Sequence, residues 1–404
     1  MIKRTLQELC LNITDGKHGD CENEENSGYY FISCKDIFDG QINYKNARQI
    51  TKADFEETHK RTMLEVDDIL LTNSGTIGRM AFVTDREATT KTTFQKSVAI
   101  IKPDKQKVLP RYLYYQLQNC VPQFINSSNG SAQKNLLLST MRTFQIEIEE
   151  NREKQEKIAN TLSAYDDLIE NNQKQIKLLE EAAQRLYKEW FVDLHFPGHE
   201  NTKIVDGVPE GWRVASIADI CDTVGGGTPS TKIQSYYEKG DILWVTPTDI
   251  TRNFSLALLD TEKKITPEGL KNSSAKMLPA ETILMTSRAS VGFFGMCKYE
   301  VCTNQGFISC IPKRENLQMY LLFNLKSRVE EIRQKAGGST YLEISKTVFR
   351  ELKIILPKDE VFAEYQKDVH DIFDEIYCRT EMIKSLVDMR NRLLPKLMSG
   401  EVEV

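Results

Sequence analysis

Between Ile158 and Trp190, residues suited to a buried face return at alternating steps of four and three. Positions 158, 162, 165, 169, 172, 176, 179, 183, 186 and 190 carry Ile, Leu, Tyr, Ile, Asn, Ile, Leu, Ala, Leu and Trp. This is the heptad seam of a long amphipathic helix. Shifted by 207 residues the seam recurs as Tyr365, Val369, Ile372, Ile376, Arg379, Ile383, Leu386, Arg390, Leu393 and Leu397. Each run predicts a rod of roughly 40 residues, about 60 Å long. Seams sustained this far predict that the rods pair, and equal rods in a repeated chain predict an antiparallel pair. Asn172 and Arg379 hold equivalent positions near the middle of their rods and are expected to meet. Such a polar layer costs stability but fixes register.

Outside the rods the pattern shortens to apolar runs such as Ile69-Leu70-Leu71-Thr72, each closed by turn residues, as in buried strands. These stretches are also written twice. Leu6, Leu9 and Cys10 fall on Ile217, Ile220 and Cys221, Tyr30 to Ile37 on Leu243 to Ile250, and Ile50-Thr51 on Ile265-Thr266. Asp68 to Gly78 falls on Thr282 to Gly292, Gln95 on Gln305, and Leu138-Ser139 on Ile344-Ser345. The expected fold is α+β. Two mixed α/β, strand-rich domains, residues 1–150 and 196–357, are separated by two long helices, 151–195 and 358–404, which pair as an antiparallel coiled coil with an internal pseudo-twofold repeat.

Composition narrows the function classes. A chain of 404 residues can bury two or three cores. It opens on Met1-Ile2-Lys3-Arg4 and no stretch approaches the 18 apolar residues of a membrane span, so a soluble cytoplasmic protein is expected. Nine cysteines without a CxxC pair suit reduced thiols, and Cys297, Cys302 and Cys310 have no histidine beside them to complete a zinc site. No metal is expected. Net charge is −1 for residues 1–150, −2 for 151–199, +3 for 200–358 and −5 for 359–404. The rods therefore carry the acid. An overall charge of −5 is not the footprint of a protein that grips nucleic acid alone; either it binds no DNA or partners supply positive surface.

Catalytic equipment is missing from the sequence. There is no GxxxxGK[ST], GxGxxG, HExxH or GxSxG, and no Asp/Asn-Pro-Pro-aromatic tetrapeptide of the kind that amino-methyltransferases use on a flipped base. Asp67-Asp68 opens a strand and Asp166-Asp167 lies on a rod, where carboxylates are ordinarily solvated. The chain reads as a non-enzyme with no catalytic residues.

The loops carry chemistry suited to recognition. Asn73-Ser74-Gly75-Thr76 and Ser287-Arg288-Ala289-Ser290 each follow an apolar run and precede a glycine, and Gly225 to Lys232 is a flexible, hydroxyl-rich turn ending in a cation. Such residues can bond base edges or phosphates, although they are also what any turn contains. Their order along the chain is more specific. Gly226-Gly227-Thr228-Pro229-Ser230-Thr231, then Tyr236-Tyr237, then Gly240-Asp241-Ile242-Leu243-Trp244-Val245 closing on Asp249-Ile250, resembles the opening of a target recognition domain from the specificity subunit of a type I restriction-modification system. Asp68 to Gly78 resembles the next signature, Pro209-Glu210-Gly211-Trp212 the entry to the second recognition domain, and Leu393 to Gly400 the C-terminal helix end. The resemblance covers essentially the whole chain. The first head departs from it, with Thr14-Asp15-Gly16-Lys17-His18-Gly19 in place of the Gly-Gly-Thr-Pro-Ser string and Cys34-Lys35 where the second has Pro247-Thr248.

The resemblance implies a non-catalytic subunit that reads an asymmetric two-part sequence in double-stranded DNA, one head per part. Its implied partners are two methyltransferase subunits, which bind S-adenosylmethionine, and restriction or motor subunits in the full complex; this chain needs no cofactor of its own. Candidate base-reading residues are Asn73, Ser74, Thr76, Lys91 and Gln95 in the first head and Arg288, Ser290, Asn304 and Gln305 in the second. Arg288 is the sharpest choice, because an arginine can bind guanine bidentately. The alternative is a duplicated coiled-coil scaffold that binds two protein partners without reading DNA. A third reading, a nuclease with a cryptic site, is weakened by the missing motifs.

Overall fold

The central strand of the first head, Val98–Pro103, is fully buried from Val98 to Ile101. Both its edges are paired and both its faces covered. Ile100 lies between Thr14 and Leu70 in an antiparallel sheet ordered Cys10–Asp15, Val98–Pro103, Ile69–Thr72, Met80–Phe82. The strand period of two sorts the side chains. Ile69, Leu71, Ala99 and Ile101 enter the core shared with helix Pro110–Asn119, while Leu70, Val98 and Ile100 enter a second core under a smaller sheet. That smaller sheet runs Arg48–Gln49, Tyr30–Ile32, Thr92–Phe94, its last pair parallel. Ile2–Thr5 pairs with Gln145–Ile148 and closes the head. This computed structural model describes residues 1–38, 40–85, 87–128, 134–338 and 342–403.

The second head repeats the larger sheet, the smaller sheet and the closing pair, but among the described residues it has no counterpart of the short Ile37–Phe38, Gln41–Ile42 pair of the first. Its larger sheet runs Cys221–Gly225, Phe307–Pro312, Ile283–Thr286, Phe294–Gly295, and its smaller one Lys264–Ile265, Ile242–Val245, Cys302–Thr303. Arg213–Ser216 pairs with Lys353–Leu356. Local chemistry is copied too: the capping boxes Thr5/Glu8 and Ser33/Asp36 recur as Ser216/Asp219 and Thr246/Asp249.

Main-chain bonds correct two of the sequence matches. The Gln95 N–H donates to Ile32 O at 2.8 Å and the Asn304 N–H to Val245 O at 3.0 Å, so Asn304, not Gln305, answers Gln95. Likewise Leu136 donates to Asn73 O at 2.8 Å and Ile344 to Ser287 O at 3.0 Å, so Leu136 answers Ile344 and the Leu138 match is two residues out. Side-chain likeness at these two places departs from the register that the ladder sets.

The long helices run Arg152–Phe191 and Asp359–Ser399. The chain divides into two compact units, Met1–Asp167 with Val387–Val404, and Leu168–Leu386. In the first unit, Ile158, Ala159 and Leu162 share one core with Leu397, Met398 and head residues Leu113 and Leu117. Asp166 accepts from Arg390 at 2.6 Å and from the Tyr115 hydroxyl at 2.5 Å, tying head to helices. In the second unit, Tyr365 packs on Tyr187, Trp190 and Phe191. Further along, Arg379 donates to Asn172 Oδ1 at 3.1 Å, so the helices run antiparallel. Asn172 is buried and donates to Leu168 O, while Arg379 also meets Glu375 at 2.5 Å. The buried stripe is wider than a bare heptad seam. Phe373, Tyr377 and Thr380 are buried as well, with the Thr380 hydroxyl 3.1 Å from that of Ser255 in the second head. Among the described residues no helix is long and apolar enough to cross a membrane.

Candidate nucleic-acid interface

Each head carries one distinctive turn at the end of its larger sheet, built on a threonine. In the first head, Thr72 Oγ1 donates to Thr76 O and accepts the Arg79 N–H at 2.9 Å, while Gly78 donates to Thr72 O at 3.0 Å. In the second, Thr286 Oγ1 donates to Ser290 O, accepts the Phe293 N–H at 3.0 Å, and Gly292 donates to Thr286 O at 2.9 Å. Gly78 and Gly292 have φ of +93° and +85°, and a Cβ on either would come within 2.5 Å of Val121 or 2.8 Å of Val329. Only glycine fits there. The turn is therefore held by main chain and one buried hydroxyl, leaving side chains 74–77 and 288–291 outside the scheme that holds it.

The candidate residues sort unevenly on this frame. Thr76, Arg288 and Ser290 are exposed, and Ser74 and Gln95 are half-buried. Ser74 bridges to Asn135, and Arg288 to Glu343 at the equivalent place, with an ion pair of 3.7 Å. Asn73 is a correction. Its N–H donates to Ser97 O and its carbonyl accepts from Leu136, which turns the side chain inward, 4% exposed, with Oδ1 unpartnered among the described residues. Lys91 is exposed and stands apart from the others: it precedes Thr92–Phe94 at the end opposite Gln95, about 13 Å along the strand by the usual rise. In the second head, Asn304 Oδ1 accepts the Gly306 N–H at 2.8 Å and so caps its own turn. Gln305 Oε1 accepts from the Thr228 hydroxyl and anchors the glycine-rich loop, which Trp244 Nε1 also holds by donating to Gly227 O at 2.9 Å.

Two residues not singled out in the sequence hold this region in place. Arg142 donates to Ile13 O at 2.6 Å, and Arg350 to Thr223 O at 3.0 Å and Thr223 Oγ1 at 2.5 Å. Each lies three residues before the closing strand of its head, a recurrence that was available in the sequence.

Burial pushes the thiols of Cys10, Cys120, Cys297 and Cys302 up to about 12, so they stay protonated. Among the described residues one histidine-carboxylate group has metal-like spacing, Glu281, His370 and Asp374. Its carboxylates flank opposite ring nitrogens, Glu281 at 3.1 Å from Nε2 and Asp374 at 3.6 Å from Nδ1, and the Lys298 ammonium sits 2.6 Å from Asp374. That is an ion network in which the cationic partner is already supplied.

Comparison with known proteins agrees with this duplicated plan. The family model described as the type I restriction modification DNA specificity domain matches twice, at residues 3–181 and 209–387. Over 173 residues, 42% of this chain, it is 38% identical to the type I restriction enzyme MjaIX specificity subunit of Methanocaldococcus jannaschii, a match spanning 39% of that protein. With the type I restriction enzyme HindI specificity subunit of Haemophilus influenzae the identity is 24% over 75% of this chain and 80% of the other. The crystal structure of a type I restriction-modification system S subunit from M. genitalium superposes with a TM-score of 0.57 at 18% identity, covering 98% of this chain and 95% of that one. Two family domains, each ending within a long helix, together cover most of the sequence, and the chain belongs to the type I restriction-modification specificity subunits.

Proposed function

We propose that this chain is the DNA-reading, non-catalytic component of a type I restriction-modification complex, recognising an asymmetric bipartite target with one half assigned to each head. One observation carries the reading: the two heads hold an identical turn with the same buried hydroxyl and glycine, yet present Ser74 and Thr76 in one and Arg288 and Ser290 in the other. A fixed frame with exchanged exposed groups suits two readers of different sequences. Ser74, Thr76, Gln95, Arg288 and Ser290 are the base-reading candidates, with Gln305 holding the loop beside them.

The long helices serve as ruler and dock. Their acidic surface and the exposed Leu168, Leu178, Met382 and Met389 suit coverage by two methyltransferase subunits, through which the restriction subunits join. S-adenosylmethionine belongs to those partners; this chain uses no cofactor. Reconstituted with the methyltransferase subunits, the chain is expected to retain duplex carrying its target, identified by methylation profiling, over random-sequence duplex in a gel shift. Equal retention of both would favour the scaffold alternative. Deleting one heptad from both helices is expected to change the unread spacer or abolish methylation; full activity on the parental spacer would refute the ruler.

A further inference from the structure

The residues around the two turns differ in charge in a direction opposite to the heads as a whole. In the first head, Arg79 Nη1 donates to Cys34 O at 3.5 Å, Cys34 N–H donates to Ser97 Oγ at 3.1 Å, and a Cβ on Gly75 would lie 3.1 Å from Cys34 Sγ. Lys35, Arg79 and Lys96 are thus gathered on one rim around the turn, and all three are exposed. Among the described residues none of them has a carboxylate within ion-pair distance. The acids close by are engaged elsewhere: Asp36 is buried in its capping box, Asp15 is taken by Arg61 and His18, and Asp54 and Glu57 hold Lys17.

The second head lacks this rim. The shared turn bonds make Phe293 the counterpart of Arg79, the shared capping box makes Thr248 that of Lys35, and the corrected register makes Gln305 that of Lys96. Among the described residues its cations near the turn are otherwise placed: Arg288 faces Glu343, Arg333 donates to Val291 O at 3.0 Å and is paired with Glu330, and Lys346 has its Nζ 3.0 Å from where a Cβ on Gly225 would be. The head with net charge −1 therefore carries the cationic rim, and the head with +3 does not.

We infer that Lys35, Arg79 and Lys96 form a phosphate-gripping surface, so that the charge-dependent part of DNA binding is loaded onto the first head. The inference rests on the DNA-reading role proposed above. Phosphate contacts position a protein without reading sequence and set its salt dependence. The rim then anchors the complex on the duplex, and the second head contributes mainly through base edges.

The test uses the complex with its methyltransferase subunits, on target and random-sequence duplex, from 50 to 200 mM salt. For K35Q/R79Q/K96Q, affinity for both DNAs is expected to fall together, and the loss of binding across that salt range to shrink by roughly 40-fold for three released contacts. Adding charge at the counterpart positions with T248K/F293R is expected to steepen the salt dependence by up to two contacts. If wild type binds the target selectively but the triple variant keeps its salt slope, or loses affinity for only one base pair, the rim is no phosphate grip. If wild type shows no selective binding, the DNA-reading role itself falls and the inference with it.

Discussion

In the first head, Asp68 is buried at the start of the interior strand Ile69–Thr72, with the Lys102 ammonium 2.7 Å away and the Glu65 N–H donating to it at 2.8 Å. In the second, the same two positions are Thr282 and Ile311, and the Thr282 hydroxyl donates to Pro279 O instead. The sheets around them have the same strand order, so the ion pair is not what specifies the architecture. The substitution teaches where this fold tolerates change. Strand register, capping boxes and turn bonds recur, while the chemistry under and around them is free to differ. A buried ion pair that an uncharged pair replaces without loss of the fold is weak evidence of stabilisation.

The largest expected contrast lies on the central strands. Ile100 is fully buried in an apolar core, whereas its counterpart Ser309 is buried with its hydroxyl unpartnered among the described residues. Ile100→Ala should cost about 2–5 kcal/mol in urea denaturation, and Ser309→Ala should be near neutral or stabilising, because it removes an unsatisfied group. Similar losses at both sites would mean that the two cores are equivalent after all.

A smaller contrast depends on pH. Burial pushes the Asp68 carboxyl up to about 6 from its ordinary 3.8, outweighing the nearby Lys102. The folded state therefore holds a proton that the unfolded chain releases. The Asp68 contribution to stability is greatest below about pH 4 and is lost, by at most about 3 kcal/mol, as pH rises through 6. Comparing urea midpoints between pH 4 and 7, Asp68→Asn should flatten that decline, and Thr282→Asn in the second head should not. A decline unchanged in Asp68→Asn would place the titrating group elsewhere.

The smallest effect should be a symmetrical one. Gly78→Ala and Gly292→Ala each force a side chain into a left-handed conformation against a valine, and each should cost about 1–3 kcal/mol. Unequal thermal shifts would show that the two turns do not bear on their heads alike.

Much of the architecture was legible in the sequence because it rests on periodicities. The heptad seam from Ile158 and its copy from Tyr365 mark the helices, and the short apolar runs mark the sheets in order. What escaped depends on contacts distant in sequence. Asn73 looks like a free turn residue until Leu136, 63 positions later, takes its carbonyl and turns the side chain inward. Lys91 and Gln95 look like neighbours until a parallel strand puts them at its opposite ends. Gln305 resembles Gln95, but the ladder matches main chain and is indifferent to that resemblance. The rim of Lys35, Arg79 and Lys96 is assembled from three separate segments, so no local pattern announces it.

The contact between Arg379 and Asn172 has a consequence for which helices can mate. The two residues are equivalent in the repeat, 207 positions apart, so a helix pair made from two copies of the second half would set Arg379 against Arg379 and bring like charges together. A pair made from two first halves would set amide against amide and leave no cation to meet Asn172. The mixed layer favours joining one half to the other over joining either to itself, and so helps keep two unlike heads together.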